Sequence, residues 1–244
     1  MVYKDRIREI HTRLLDSVAP CVCQICGRKS GRSLSLCQAC EDEIPLNYLA
    51  CERCALPLVE AFDECGRCQR RPPPQLRALV PRLYQSPVDE FVRDLKFRRR
   101  TFLVPVLAQL MAPAIADSLW DRPLPDLVVP VPMHWWRRWR RGFNQAEMLA
   151  QALVRSPELV SLGLKVNTGI CRRRQGGPPQ AGLDAKQRSR MGDVFQCRST
   201  LEGLRIAIVD DVVTTGATSA RLAQTLIDAG AMEVEVWACA RTPG

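Results

Sequence analysis

An uninterrupted apolar run lies near the C-terminus at residues 206–209, and it stops at two adjacent carboxylates, Asp210 and Asp211. An apolar run without alternating polar residues is typical of a strand buried on both faces of a parallel sheet. After a short loop, apolar residues recur at helical spacing until Gly230, which is suited to a helix C-terminus. The segment therefore predicts a strand, a loop and a helix. It places the two carboxylates at the carboxyl end of the strand, where open α/β sheets bind ligands.

Four other segments extend this pattern. Residues 126–132 predict a second short buried strand that leads into a loop. Helical spacing of apolar residues predicts helices at 88–96, 102–119 and 144–155, with a kink or break at Pro113. Strands that alternate with helices favour an α/β fold, in which helices flank a parallel sheet.

Cysteines dominate the first third of the chain. Eight of them form four pairs, each with two residues between its members: Cys23, Cys26, Cys37, Cys40, Cys51, Cys54, Cys65 and Cys68. Pairs of thiolates on two tight turns form the tetrahedral sulfur site that zinc prefers, and this spacing argues against disulfides. Because four thiolates leave no open coordination position, the predicted zinc is structural.

The grouping of these cysteines is open from their spacing alone. Consecutive pairs would give two zinc ribbons, whereas interleaved pairs would give a cross-braced site; we favour consecutive pairs. Cys21 is a spare thiol that could replace Cys23. The module would serve either as a platform for a partner or nucleic acid, or only as a scaffold.

A proline-rich stretch at 72–74 is the best domain boundary. It separates an N-terminal helix and cysteine-rich module, residues 1–72, from an α/β domain, residues 76–244. The chain has no run of roughly 18 consecutive apolar residues, and its N-terminus is charged, so we expect a cytoplasmic protein or one peripheral to the inner face of the membrane. Its net charge of +9 is compatible with a nucleic acid or polyphosphate ligand but selects neither.

The loop after the two carboxylates has the composition of a phosphate site. Small side chains, hydroxyl groups and backbone N–H groups at a helix N-terminus together bind phosphate well. They are offered here by Thr214, Thr215, Gly216, Ala217 and Thr218. Carboxylates would repel a phosphate, so Asp210 and Asp211 are expected to face a sugar diol, a hydrated divalent cation, or both.

A second unusual segment follows the strand at 126–132, and we interpret it as a loop rich in arginine and tryptophan. Its arginines, Arg137, Arg138, Arg140 and Arg141, are suited to binding phosphate oxygens in pairs. Its tryptophans, Trp135, Trp136 and Trp139, could stack on the bases of a single strand. The alternative is that the tryptophans cover the core and the arginines are solvated.

Residues 171–195 are rich in glycine, proline and arginine. This composition predicts a mobile basic segment, which could close over a charged ligand as a lid or could be a simple connection.

Several motifs together resemble the ComF/GntX family. They are the paired cysteines, Val-Pro-Val-Pro at 129–132, Arg-Gly-Phe-Asn-Gln at 141–145, Pro-Gln-Ala-Gly-Leu at 179–183, Asp-Asp-Val-Val-Thr-Thr-Gly-Ala-Thr at 210–218 and Ala-Arg-Thr at 240–242. The resemblance implies a double zinc ribbon before a type I phosphoribosyltransferase-like domain. Members of the family support natural transformation or the use of external DNA.

The resemblance also implies a ligand, 5-phosphoribosyl-1-pyrophosphate (PRPP), with Mg²⁺. Its pyrophosphate would lie at Val131, Pro132 and Met133, next to Arg141, and its 5′-phosphate at residues 214–218. Asp210 and Asp211 would hold the ribose hydroxyls, and the lid would lie at about 172–190. With these two aspartates and Arg141 as catalytic residues, pyrophosphate would leave C1 of the ribose and a nitrogen nucleophile would attack.

The acceptor of such a transfer is open. Purine-salvage relatives carry an aspartate near the position of Thr214, so a nucleobase acceptor is not supported here. The competing hypothesis is a non-catalytic sensor or single-stranded-DNA-binding protein that reuses the pocket and grips DNA with residues 135–140. The implied partners are PRPP, single-stranded DNA and proteins of DNA uptake or processing.

Overall fold

The N-terminal part of the fold is organised by cysteines. A computed structural model describes residues 21–173 and 195–243. Its first two helices, α1 (Gln38–Asp42) and α2 (Gly66–Arg70), are one turn long, and each begins directly after a cysteine, Cys37 or Cys65. Such short helices are not stable alone, so the sulfur sites at their N-termini must hold them.

The remaining elements are helices and strands interspersed along the chain. In chain order they are β1 (Arg77–Leu79), β2 (Arg82–Leu83), α3 (Val88–Arg98), α4 (Val104–Gln109), α5 (Ala112–Leu119), β3 (Leu127–Pro130), α6 (Trp135–Arg141), α7 (Gln145–Leu153), β4 (Cys171–Arg173), β5 (Phe195–Cys197), β6 (Arg205–Val213), α8 (Ala217–Asp228) and β7 (Glu233–Arg241), with 3₁₀ turns at Thr101–Leu103 and Val160–Leu162.

The sheet is parallel throughout. Its strands lie in the order β1, β7, β6, β3, and β2 pairs with β7 beyond the end of β1. Val209 of β6 is level with Pro130 of β3 and Trp237 of β7. Because the strands are parallel, the carboxyl ends of β2, β3, β6 and β7 meet at one edge, where ligands bind in such sheets.

Helices cover both faces of the sheet. Ala207 and Val209 of β6 pack against α3, α4, α5 and α7, whereas Ile206 and Ile208 face α8 and the antiparallel β4–β5 pair. Both faces of β6 are therefore buried, which explains its continuous apolar sequence. The predicted parallel sheet with flanking helices is confirmed.

The first cysteine cluster shares the main core. Cys23, Leu36, Cys40 and Ile44 are buried in the same apolar cluster as α3 and α4. Arg82 Nη1 of β2 donates a hydrogen bond of 2.9 Å to the carbonyl of Ile44. The first cysteine cluster precedes the expected domain boundary at 72–76 in the sequence, but it packs into the core of the α/β domain.

One predicted element differs from the structure, and the break expected at Pro113 lies two residues earlier. Residues 135–141, expected as part of a loop, form helix α6, which is followed by Gly142 at φ 89°. The helical stretch at 102–119 is broken at residues 110–111, and Pro113 lies in the first turn of α5. A proline is tolerated there because the first N–H groups of a helix have no intrahelical partner.

One described segment, Thr101–Leu119, is long and apolar enough to cross a membrane by composition alone. More than half of it is buried in the protein, and Leu107, Met111 and Ile115 are fully enclosed. It is therefore a core element. The predicted N-terminal helix and most of the proposed lid, residues 174–194, lie outside the described residues.

Candidate functional site

The eight paired cysteines form two clusters made of consecutive pairs, as favoured from the spacing. One contains Cys23, Cys26, Cys37 and Cys40, and the other contains Cys51, Cys54, Cys65 and Cys68. Within each cluster the sulfur atoms all lie within 4.8 Å of one another, which fits a tetrahedral zinc site with four thiolates. Cys21 belongs to neither cluster. The chain therefore carries two structural zinc sites, called here the first and second zinc ribbons.

A cavity of about 820 Å³ opens at the carboxyl ends of β3 and β6. It brings together residues from the predicted pyrophosphate segment, the acid pair, the loop after β6 and helix α6. Its predicted site residues are Val131, Pro132, Met133, Arg137, Arg140, Arg141, Asp210, Asp211, Thr214 and Thr218. Its size is in the range of small-molecule sites in proteins.

The two carboxylates point to opposite faces of β6 because side chains alternate along a strand. Asp211 lies on the Val209 face, is 3% exposed, and forms an ion pair with Lys96 of α3, with 2.5 Å between Nζ and Oδ2. Asp210 lies on the other face and is half-buried. The cavity therefore contains one carboxylate that is paired with a lysine and, among the residues that the structure describes, one without a cation in direct contact.

Burial raises the pKa of Asp210 well above its ordinary value of 3.8, and the charge of Asp211 adds to the shift. The backbone N–H of Asp211, which donates to Asp210 Oδ1 at 2.9 Å, and the charge of Lys96 lower this pKa, but by less than these causes raise it. Asp210 is thus costly to ionise in the free protein. A bound cation or sugar diol would stabilise its ionised form.

This shift predicts a gain in stability for Asp210→Asn. A carboxyl group with a raised pKa in the folded state favours folding at low pH, and the contribution is lost as pH rises through that pKa. The melting temperature of the variant should exceed that of the wild type by about 2–4 °C per kcal/mol, with a difference that grows as pH rises. Thermal melts from pH 5 to 9 measure it, with the exposed Asp121→Asn as control. A variant that is less stable than the wild type at alkaline pH would contradict this assignment.

The predicted phosphate loop, residues 214–218, connects β6 to α8. Gly216 has φ 76°, a left-handed conformation that glycine adopts without strain. Thr215 Oγ1 accepts a hydrogen bond of 3.3 Å from the N–H of Ala217, and Ser219 Oγ donates to the carbonyl of Gly216 at 3.0 Å. The loop thus presents the start of a twelve-residue helix to the cavity.

Because of its helical period, α6 places the arginines that line the cavity and its tryptophans on different faces. Arg137, Arg140 and Arg141 line the cavity of the acid pair, because residues three and four apart share a face. Arg141 donates to Gln145 Oε1 at 2.5 Å and lies over the ring of Phe97, 5.9 Å from its centroid. Burial lowers the pKa of Arg141, the charge of Asp211 partly opposes this shift, and the charges of Arg137 and Arg140 add to it. An anion bound here would relieve this repulsion.

The tryptophans lie outside that cavity and are exposed. Trp136 and Trp139 stack with ring centroids 5.1 Å apart, and Trp135 meets Trp136 edge to face. Trp135 and Arg138 line a neighbouring cavity of about 740 Å³. The tryptophans do not cover the core, since their exposed fractions are 49–72%.

Sequence reasoning missed other residues that line the main cavity: Tyr84, Lys96, Phe97 and Arg99. Arg173, which also lines the cavity, belongs to the predicted lid. Lys96 opens a basic run, residues 96–100, whose composition alone indicates a solvated surface. It follows the buried Leu95 and lies four residues after the buried Val92, so its helical position is at the edge of the buried face. This position at the edge of a buried helix face is the sequence feature that could have indicated a contact of Lys96 with the site.

The parallel sheet, the acid pair at the end of its central strand and the following threonine-rich loop define the type I phosphoribosyltransferase-like class. Among solved structures, the chain is similar to a purine phosphoribosyltransferase from Pyrococcus horikoshii Ot3 at 18% identity and a TM-score of 0.31, over 55% of this chain and 70% of that one. A similarity at that score does not define the class, which follows from the sheet topology and the motif at 210–218.

The chain belongs to the ComF/GntX family. Residues 14–69 match the family model described as a double zinc ribbon domain. The chain is 35% identical to the DNA utilization protein YhgH of Salmonella typhi over 227 residues, which cover 91% of this chain and 98% of the relative. It is 30% identical to Competence protein F of Haemophilus influenzae over 212 residues, which cover 84% of this chain and 90% of the relative.

Proposed function

We propose that this chain binds PRPP with Mg²⁺ in the cavity at the carboxyl ends of β3 and β6, and that it supports the use or uptake of external DNA in the cytoplasm. The assignment of PRPP as the ligand rests on the lining of this cavity. It combines an acidic centre, Asp210 and Asp211, with a wall of arginines from α6 and a hydroxyl-rich loop. The names of the relatives support the biological role.

Each part of PRPP has a matching chemical group in the cavity. The ribose hydroxyls would donate hydrogen bonds to Asp210 and Asp211, and the 5′-phosphate would accept from the phosphate loop. The pyrophosphate would lie between the backbone of residues 131–133 and the guanidinium groups of Arg137, Arg140 and Arg141. A phosphate alone would leave the two acids unused.

The same arrangement could stabilise charge that develops on a departing pyrophosphate. Arg141 is held by Gln145 and by the ring of Phe97, so it is preorganised before the ligand binds. Mg²⁺ bound with PRPP would supply further neutralisation of the leaving group. The cavity offers no carboxylate at Thr214 to assist a nucleobase, so the acceptor is another nitrogen nucleophile or the site binds without turnover.

PRPP with Mg²⁺ is expected to raise the melting temperature of the full chain. A ligand at about 100 times its Kd stabilises the folded state by about 2.7 kcal/mol, which corresponds to about 5–10 °C for a chain of this size. Ribose 5-phosphate and pyrophosphate should each give smaller shifts, because each occupies part of the cavity. Differential scanning fluorimetry at one ionic strength measures all three.

Inorganic tripolyphosphate is the control for attraction of any polyanion to the arginines. A shift with tripolyphosphate as large as that with PRPP would show that the ribose is not recognised and would refute the proposal.

A second candidate function, binding of single-stranded DNA by α6, is favoured by the exposed stack of Trp136 and Trp139 next to Arg138. Nucleic-acid-binding proteins combine such aromatic platforms with cations that contact the backbone. Arg138 is only partly available, since it also pairs with Glu147 at 3.0 Å. This surface and the PRPP cavity are separate faces of one helix, so both functions can coexist.

Trp139→Ala is expected to weaken binding of a fluorescent single-stranded oligonucleotide at least about fivefold, because one stacked base contributes about 1–3 kcal/mol. Affinity of the wild type should also fall steeply with salt. Trp120→Ala is the matched control, since Trp120 is 92% exposed and lies outside α6. Equal affinities of the two variants, or an affinity that salt does not change, would exclude this function.

A further inference from the structure

Arg241, the last residue of β7, joins the second zinc ribbon to the strand that precedes the phosphate loop. It belongs to the closing Ala-Arg-Thr motif, and its side chain is 3% exposed. Its Nε donates a hydrogen bond of 3.0 Å to the carbonyl of Cys54, a cysteine of the second cluster. Its Nη1 donates to the carbonyls of Val213, at 3.2 Å, and Thr214. One buried guanidinium thus contacts both the metal site and the loop.

A second arginine makes the same connection from the surface. Arg67 lies in α2, between the zinc-site cysteines Cys65 and Cys68. Its Nη2 donates a hydrogen bond of 3.1 Å to the carbonyl of Thr215. Arg67 is exposed, so this bond holds only while the ribbon keeps α2 in place.

These contacts orient donors that a phosphate would need. A peptide unit is planar and trans, so fixing the carbonyl of one residue fixes the N–H of the next residue in the opposite direction. Arg241 holds the carbonyl of Thr214 and thereby orients the N–H of Thr215. Arg67 holds the carbonyl of Thr215 and thereby orients the N–H of Gly216. Each N–H group therefore points away from the arginine that holds the carbonyl of its peptide unit.

We propose that the second zinc ribbon sets the geometry of the phosphate loop through Arg241 and Arg67, with Arg241 as a positioning residue, so that zinc at this ribbon and a 5′-phosphate at the loop favour each other. The proposal rests on the proposed function, since it concerns the same cavity. Coupling of this kind is reciprocal: if zinc strengthens phosphate binding, phosphate binding must strengthen zinc retention by the same factor.

Ribose 5-phosphate and pyrophosphate, the two halves of PRPP, distinguish the loss of a positioning residue from a general loss of folding. We expect Arg67→Gln to weaken binding of ribose 5-phosphate about fivefold, because it removes one hydrogen bond to the loop. Arg241→Lys should weaken it at least about tenfold, because it removes several. Binding of pyrophosphate, which would use the α6 arginines and residues 131–133, should be unchanged in both. Calorimetric titration of the full zinc-loaded chain gives the affinities, and circular dichroism verifies the fold.

Arg70→Gln is the matched control, since Arg70 is exposed in the same helix and the change in net charge is the same. It should bind ribose 5-phosphate as the wild type does. If Arg67→Gln binds ribose 5-phosphate as tightly as Arg70→Gln does, or if pyrophosphate affinity falls equally, the positioning role is wrong.

Zinc release provides the reciprocal measurement. Transfer of zinc to 4-(2-pyridylazo)resorcinol should show two phases. Saturating ribose 5-phosphate should slow one of them equally in the wild type and in Arg70→Gln, and to a smaller extent in Arg67→Gln, which keeps only the contacts of Arg241. Unchanged release from wild type saturated with ribose 5-phosphate would overturn the coupling while leaving the proposed function intact. A wild type that binds neither ribose 5-phosphate nor PRPP would instead refute the proposed function, and the coupling with it.

Discussion

Replacing Cys40 by serine is expected to unfold the whole chain, because the first zinc ribbon is part of the main core. Cys23 and Cys40 are buried in the same apolar cluster as Leu95, Val106 and Leu107. Binding of structural zinc contributes about 10–16 kcal/mol in zinc-finger peptides, which is comparable to the entire stability of a typical domain. Loss of this site should therefore remove the cooperative unfolding transition or lower its midpoint by tens of degrees.

Thermal melts by circular dichroism, together with zinc content by atomic spectroscopy, measure this effect. The matched control is Cys21→Ser, which removes a cysteine of the same segment that belongs to neither cluster and should keep both zinc ions and the wild-type midpoint. A Cys40→Ser protein that melts at the wild-type temperature would show that the first ribbon is an independent appendage.

The parts of the site that could be predicted from sequence are those encoded locally. The acid pair and the phosphate loop lie within residues 210–218, and strand alternation together with a helix start fixes their relative positions. The zinc clusters follow likewise from the spacing of the cysteines.

The parts that were missed depend on tertiary packing or on helical period. Lys96 reaches Asp211 only because α3 packs across β6, which no local pattern encodes. The segment at 135–141 was interpreted by composition, although arginine has a high helix propensity and Arg137, Arg140 and Arg141 are spaced for one helical face. Arg241 was recognised only as part of a motif, because its partners lie in the ribbon and in another strand.

The double variant Asp210→Asn, Asp211→Asn is expected to lose at least about 100-fold in affinity for PRPP. Each carboxylate that accepts a hydrogen bond from a ribose hydroxyl contributes about 1.5–3 kcal/mol, and every 1.4 kcal/mol is tenfold. The sign of the change is informative, since replacing these carboxylates by amides in a cavity lined by arginines removes negative charge and should not weaken binding of a plain polyanion. In a double variant that keeps the wild-type circular dichroism spectrum and melting transition, a loss of PRPP affinity would therefore indicate that the carboxylates contact the ribose or its Mg²⁺.

Calorimetric titration of PRPP with Mg²⁺ into the wild type and this double variant tests the central claim most directly, with Asp117→Asn, Asp121→Asn as a control that removes the same charge from exposed positions. The account predicts saturable binding to the wild type and to the control, and at least about 100-fold weaker binding to the double variant. Absence of binding to the wild type, or equal or tighter binding to the double variant, would contradict it.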